Sequence, residues 1–319
     1  MIYDNNILRN LIWITILLQF VSCSSEEFVR FGVISDVHQD IMHDGEERLS
    51  RFIEEMNTIQ PDFIIQLGDF CRPYSYNKDF LDIYYDFQGP QYHVIGNHEM
   101  DGGFSRDSVL RFWGVQKSYY SFDSGDLHFI VLDGNDFNPG PDKPPGYNKY
   151  IGAKQVEWLK SDLEATENRC ILFSHQALRG EFGVDNAQEI RQILEDANAR
   201  AGAQKVIASL NGHNHADTVF QIDGIFYIEI NSASYDWLGG EYLHESYSKS
   251  VHDQYPYIQY TAPYEQPIWA LVEIGSKGTI RIKGKESMWV GPSPMELGHP
   301  GRKDGVGFSS GIKDTILVF

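Results

Sequence analysis

VRFGVISDVH, residues 29–38, is an apolar run that stops abruptly in Asp36 and His38. Its apolar part has the length and β-branched content of a buried strand, and its end carries two candidate metal donors. Beyond it, Leu49, Phe52, Ile53 and Met56 recur at helical spacing. Asp44 and Glu47 have the spacing of a capping box before that helix. PDFIIQLGDF (61–70) repeats the arrangement, with a strand running into Gly68 and Asp69, and QYHVIGNHE (91–99) places Asn97, His98 and Glu99 after another short strand. Strand, helix and strand in this order predict a parallel unit of an α/β fold whose polar loops gather along one end of the sheet, where such proteins place their chemistry.

The middle of the chain reads differently. SYYSF (118–122) and LHFIVL (127–132) predict a hairpin that continues the sheet in mixed orientation, and NPGPDKPPGYNKY (138–150) reads as an irregular surface crossing. Val156, Leu159 and Leu163 mark a helix leading to the strand RCILFSHQ (169–176), which ends in His175. A further helix over Ile190, Ile193, Leu194 and Ala197, with Asp185 and Gln188 as its cap, leads through QKVIASL into Asn211, Gly212, His213, Asn214 and His215. TVFQI and IFYIEI then form a hairpin around Asp223-Gly224, and WALVEI with TIRIKG (269–284) forms another, which favours a second sheet facing the first over one open sheet. Residues 234–264 are rich in tyrosine and read as a long excursion over a pocket. Residues 285–319 form a C-terminal extension without an assigned docking site.

Composition narrows the function. The 319 residues carry a formal charge of −19 with 42% hydrophobic content, which suits a folded globular protein and argues against a general nucleic-acid surface. The first 22 residues stand apart: Arg9 precedes the apolar run LIWITILLQFV (11–21), too short for a typical spanning helix but suited to a secretory signal. FVSC (20–23) followed by SSEE resembles a bacterial lipoprotein cleavage site, with Cys23 as the lipidated residue and 23–28 as a short linker to a catalytic body over 29–284. Export to the cell envelope, with membrane attachment through Cys23, is the corresponding expectation. Removing residues 1–22 takes away only Asp4 and Arg9 among charged side chains, so the acidity belongs to the mature protein. Cys71 and Cys170 remain either as a pair or as two buried thiols.

A bridged pair of divalent ions needs a carboxylate that reaches both, surrounded by oxygen and neutral imidazole donors. Asp69 is the bridge candidate, because Gly68 permits a tight turn that exposes its carboxylate. Asp36, His38 and His215 can complete one ion, and Asn97, His175 and His213 the other. If residues 213–215 stay extended, the two histidines share one face and Asn214 points away. Only two of these seven donors are carboxylates, so two divalent cations and a hydroxide leave the centre locally positive within an acidic protein.

The order DVH (36–38), GDF (68–70), GNHE (96–99), SH (174–175) and GHNH (212–215) resembles the calcineurin-like metallophosphoesterase family. The resemblance spans residues 29–284. It implies a four-layer sandwich of two facing mixed sheets flanked by helices, two bound metals, and hydrolysis of a phosphate ester, by phosphatase or phosphodiesterase chemistry. It also implies the same ligands, with His98 contacting substrate or protonating the leaving oxygen instead of binding metal, and with Asp69 orienting it. Relatives that bind iron through tyrosine carry it where this chain has Arg72, so the pattern looks more like Mn²⁺, Fe²⁺ or Zn²⁺ enzymes. Glu99 reads either as a carboxylate behind the ligands or as an ordinary loop acid. Arg72 and Arg179 read as salt-bridge partners or phosphoryl contacts. His43, His93, His128, His244, His252 and His299 fall outside the ligand pattern. The competing class is a noncatalytic envelope protein that keeps the fold and binds metal or a phosphate ligand.

Overall fold

Alternation along β1 (Phe28–Ile34) sends Phe31 and Val33 to one side and Ile34 to the other, and all three are fully buried. A strand dry on both faces needs cover on both sides. The computed structural model describes residues 26–319 apart from 142 and 304 and provides that cover. The expected signal at 1–22 and Cys23 lie outside the described residues.

The chain continues through α1 (Gly45–Ile59), β2 (Phe63–Gln66), α2 (Lys78–Tyr85), β3 (Gln91–His93) and α3 (Arg106–Trp113). Next come β4 (Tyr120–Ser124), β5 (Leu127–Val131), α4 (Ala153–Ala165), β6 (Arg169–Ser174), α5 (Ala187–Ala201), β7 (Val206–Asn211), β8 (Thr218–Ile222) and β9 (Ile225–Glu229). β10 (Tyr235–Trp237), α6 (Lys249–Gln254) and β11 (Thr261–Pro263) occupy the tyrosine-rich excursion, and β12 (Ala270–Gly275), β13 (Thr279–Lys283) and β14 (Thr315–Val318) close the chain. One sheet has the order β14-β13-β12-β1-β2-β3 and the other β4-β5-β6-β7-β9-β8, with β10 and β11 as a separate ribbon. β1, β2 and β3 run parallel, as do β5, β6, β7 and β9. Apolar residues of α1, α2 and α3 cover the outside of the first sheet and those of α4 and α5 the outside of the second. The result is the four-layer α/β sandwich of two mixed sheets flanked by helices.

The sheets are locked together by aromatic rings. Phe31 stacks on Phe63 at 4.9 Å, meets Phe129 and Phe173 edge-on at 5.8 and 5.5 Å, and Phe129 stacks on Phe173 at 5.8 Å. Each ring comes from a different strand that ends near the polar loops described below, so the packing that joins the sheets also fixes their ends relative to each other.

Two hairpins sit differently from their expected places. SYYSF and LHFIVL do not continue the first sheet but begin the second, whereas WALVEI and TIRIKG return to the first, with β12 antiparallel to β1. Alternation defines which face of a strand is buried and not which strand lies beside it. Neither expected cap forms. Asp44 stands at the N-cap of α1, but its carboxylate accepts from Arg48 Nε at 2.8 Å, a charge-assisted bond that replaces the amide contact. Asn186, not Asp185, precedes α5, and Asp185 binds Asn138 instead. Cys71 and Cys170 are free and buried, so they do not pair. The C-terminal residues dock through β14, which pairs with β13. No helix of the described residues is long and apolar enough to cross a membrane.

On β5, His128 lies between Asp162 (2.9 Å) and Asp123 (2.7 Å). Its hydrogen bond to Asp162 outweighs burial and, with Asp123, raises its pKa above the ordinary 6.5. A raised folded pKa contributes stability that is complete below the unfolded value and disappears as pH rises through the folded value. His128→Asn is therefore expected to destabilise the protein more at pH 6 than at pH 9, measured by urea unfolding at the two pH values. An equal loss at both would contradict the charged pairing.

Candidate metal centre

Asp36 lies just beyond β1, Asp69 beyond β2, Asn97 beyond β3, His175 directly after β6, and His213 and His215 just beyond β7. All five strands run parallel within their sheets, so their C-terminal ends bring these side chains to one edge of the sandwich. The backbone there is strained. Asp36 (φ 52°), His38 (52°), Asp69 (50°), His213 (66°) and His215 (48°) all adopt the left-handed conformation, which costs non-glycine residues roughly 1–2 kcal/mol each. Hydrogen bonds between neighbouring loops hold it: Asp36 N–H donates to Gly68 O and His38 N–H to Asp69 O, each at 3.0 Å. Gly68 (φ 98°) must be glycine, because a side chain would also meet His175 and the backbone of Gly96. Gly212 must be small because a Cβ would run into Ser35 and Asp36.

The extended reading of 213–215 is therefore corrected. Asn214 N–H donates to Gly212 O at 2.7 Å, a tight turn, and the two left-handed histidines turn inward without strand alternation. Asn214 does point away: its amide donates to Glu229 at 2.9 Å.

Two donor groups result, Asp36 with His38 and His215, and Asp69 with His175 and His213, the ligand atoms within each lying less than 4.8 Å apart. Asp36 Oδ1 is 3.3 Å from His215 Nε2 and 3.8 Å from His38 Nε2. Asp69 Oδ2 is 3.2 Å from His175 Nε2 and 3.8 Å from His38 Nε2, so this carboxylate faces both groups. Asn97 Oδ1 and His213 Nδ1 each lie 3.2 Å from His175 Nε2.

The arrangement fits divalent cations on its own terms. Asp36 Oδ1 is buried without a hydrogen-bond partner, beside the His215 and His38 ring nitrogens. His175 Nδ1 donates to Leu67 O and His215 Nδ1 to Tyr235 O, both at 2.8 Å, which turns each Nε2 toward the centre. Burial disfavours the charge of Asp36, yet His215 and His175 hold it down to about 2, and Asp69 lies well below the usual carboxylate range, burial again being outweighed by His175 and His98. Burial pushes His38 and His213 down to about 3. Ionised carboxylates and neutral imidazoles are the states metals require. His175 is the exception, since burial is overcome by Asp69, which raises it to about 10.

His98 stands apart from both donor groups. Its backbone N–H donates to Asp69 Oδ1 at 2.8 Å, its Nε2 lies 3.9 Å from Asp69 Oδ2, and its Nδ1 is 2.7 Å from Asp101 Oδ2. Asp101 also accepts from Tyr147 and from Arg72, both at 3.0 Å, so Arg72 is a salt-bridge partner at the site's rim. Arg179 pairs with Glu229 at 2.9 Å. Glu99 is buried beneath Asp69, accepts the Phe70 N–H at 2.5 Å, and is raised to about 8 by burial and by Asp69. His38, His98, Asp69, His213 and His215 floor a cleft of about 470 Å³ walled by Tyr147, Tyr235, Trp237 and Tyr257. The ring of Tyr235 stacks on His38 at 4.9 Å. Sequence reading missed Asp101 and Tyr147. Asp101 stood three residues after His98, within reach of a single turn, but Tyr147 carried no signal in an irregular loop.

The family model described as calcineurin-like phosphoesterase matches residues 29–217, more than half of the chain. A manganese-dependent ADP-ribose/CDP-alcohol diphosphatase from Arabidopsis thaliana is 25% identical over 267 residues, covering 62% of this chain and 84% of that protein. Among solved structures, a dimetal phosphatase from Danio rerio aligns with a TM-score of 0.59 at 16% identity, over 83% of this chain and 99% of that one. GAP50, the anchor in the inner membrane complex of Plasmodium, aligns with a TM-score of 0.54 at 16% identity, over 83% and 85%. At such identities these two structures bear on the fold alone.

Asp69 raises the pKa of His175 to about 10, so a metal that takes Nε2 competes with a proton there. Uptake of Mn²⁺ at pH 7.5 is expected to release about one proton from this position, and apparent affinity should weaken as pH falls. Calorimetric titration in two buffers of different ionisation enthalpy measures the release. Identical heats in both would contradict it.

Proposed function

We propose, from the premise that the chain belongs to the calcineurin-like phosphoesterase family and is a metal-dependent phosphoester hydrolase, that it cleaves phosphodiesters or diphosphates carrying an organic group on each side of the reacting phosphorus. The observation that carries this reading is the cleft: about 470 Å³ of aromatic-walled space stands over the donor groups, far more than a phosphate alone fills. The similarity to a protein named as an ADP-ribose/CDP-alcohol diphosphatase supports the same substrate class.

In this reading Asp36, His38 and His215 would hold one ion and Asn97, His175 and His213 a second, with the Asp69 carboxylate facing both groups. Divalent ions held there would neutralise the phosphoryl oxygens and lower the pKa of a water. That water loses one proton to solvent, its oxygen bonds to phosphorus, and the opposite P–O bond breaks. His98 gives its proton to the departing oxygen, with Asp101 fixing the ring through Nδ1 so that Nε2–H faces the reaction. Burial works against a charged His98, but Asp69 and Asp101 raise its pKa, which keeps the acid form available. Glu99 lies behind Asp69 and supports the loop that carries Phe70.

Residues 1–22 serve as an export signal and Cys23 as the lipid attachment point that holds the enzyme at a bacterial cell envelope. Arg9, the apolar run at 11–21 and FVSC support this. Mass spectrometry of the native N-terminus should find lipid on Cys23, and an intact Met1 or an unmodified Cys23 terminus would refute it.

Asp69→Ala should abolish hydrolysis while the fold, followed by circular dichroism, persists. His98→Ala should keep bound metal and lose roughly 10²–10⁴-fold in kcat on an alkyl ester, as removal of a general acid does. With p-nitrophenolate, which departs without a proton, the loss should be smaller. Equal losses on both esters would remove His98 from the acid role.

A further inference from the structure

Beside the main cleft, a second cavity of about 430 Å³ shares Trp237 as a lining residue and reaches the same His213 and His215. Each cavity alone lies within the roughly 300–1,000 Å³ of a small-molecule site. Trp237 lines both cavities. It is 47% exposed, stands at the end of the β10–β11 ribbon opposite Thr261, and stacks on Tyr260 at 5.6 Å with the planes 6° apart. A ring held on one face and open on the other is a ready stacking surface.

The far wall comes from the C-terminal extension. His299 packs against Phe308 at 4.8 Å and against Tyr242 at 4.4 Å, and Phe182 completes the rim at 36% exposure. Arg302 ties this wall to the ligand loop: its guanidinium donates to Asn214 O and, at 3.1 Å, to His215 O, and it pairs with Asp236 at 3.4 Å. The segment therefore bonds to the backbone that positions two candidate ligands. Its residues lie outside the 29–217 matched by the family model.

We propose that this second cavity is a substrate subsite built by the chain's own C-terminal segment, and that it takes a planar ring on the substituent that stays with the hydrolysed phosphoryl group. The inference rests on the two-substituent reading above. With the phosphorus over His213 and His215, one substituent lies in the main cleft beside His98 and departs with the proton. The other must leave the phosphorus on a different side, and the cavity lined by Trp237 and Phe308 is an aromatic-lined space that reaches both His213 and His215. A phosphomonoester has no group to place in it.

Three esters sharing one leaving group test the assignment: p-nitrophenyl phosphate, methyl p-nitrophenyl phosphate and thymidine 5′-(p-nitrophenyl phosphate), each assayed with Mn²⁺-loaded protein. The thymidine ester should exceed the methyl ester in kcat/KM by about tenfold or more, as stacking of one base provides. Phe308→Ala should reduce that ratio about tenfold, mainly through KM for the thymidine ester, and Phe182→Ala, at an exposed position, should reduce it in the same direction. A wild-type ratio near one, or a ratio unchanged in both variants, overturns the subsite. If the wild-type protein hydrolyses neither diester, whether or not it cleaves p-nitrophenyl phosphate, the phosphodiester reading itself fails, so the two failures are separable.

Discussion

Asp36 and Asp69 are ionised carboxylates buried at the ends of two adjacent parallel strands, and burial of such charge is costly without compensation. Four imidazoles and one amide oxygen surround them, yet Asp36 Oδ1 still finds no hydrogen bond. The imidazoles outweigh burial and keep both carboxylates ionised, and the oxygen left without a hydrogen bond is one that a divalent cation would take up. Left-handed turns at five donors cost several kcal/mol together, and they persist because paired loops and the phenylalanine lock between the sheets leave the strand ends no other geometry.

Much of this was legible in the sequence because the relevant signals are local. Apolar runs ended by DVH, GD, GNHE, SH and GHNH mark strands whose ends carry donors, and helical spacing such as Leu49, Phe52, Ile53 and Met56 marks the elements between them. What was not legible depends on partners distant in sequence. TIRIKG pairs beside β12 in the first sheet, but alternation names only its buried face. Tyr147 reaches Asp101 from a proline-rich loop without periodicity. The left-handed turn at His213 and His215 follows from Gly212 packing on Ser35 and Asp36, a contact between loops of opposite sheets. Asp44 had the cap position but found a stronger partner in Arg48.

Charge and shape divide the work of recognition. The chain as a whole is strongly acidic, so attraction of a phosphate ester is confined to the metal-bearing floor. Around it the walls are aromatic, with Tyr147, Trp237 and Tyr257 lining the main cleft and Phe182, His299 and Phe308 lining the second cavity. The family-matched region supplies the donors, while the residues after 217 shape most of the walls. Selectivity thus varies with segments that can change without disturbing the strand ends.

The central claim is that Asp69 joins two metal ions. A crystal structure of the manganese-loaded protein, with anomalous scattering recorded at the metal edge, tests it directly. Two peaks about 3.5–4 Å apart are expected, both within bonding distance of the Asp69 carboxylate, one beside Asp36, His38 and His215 and the other beside Asn97, His175 and His213. A single peak, or two ions that do not share Asp69, would contradict the account.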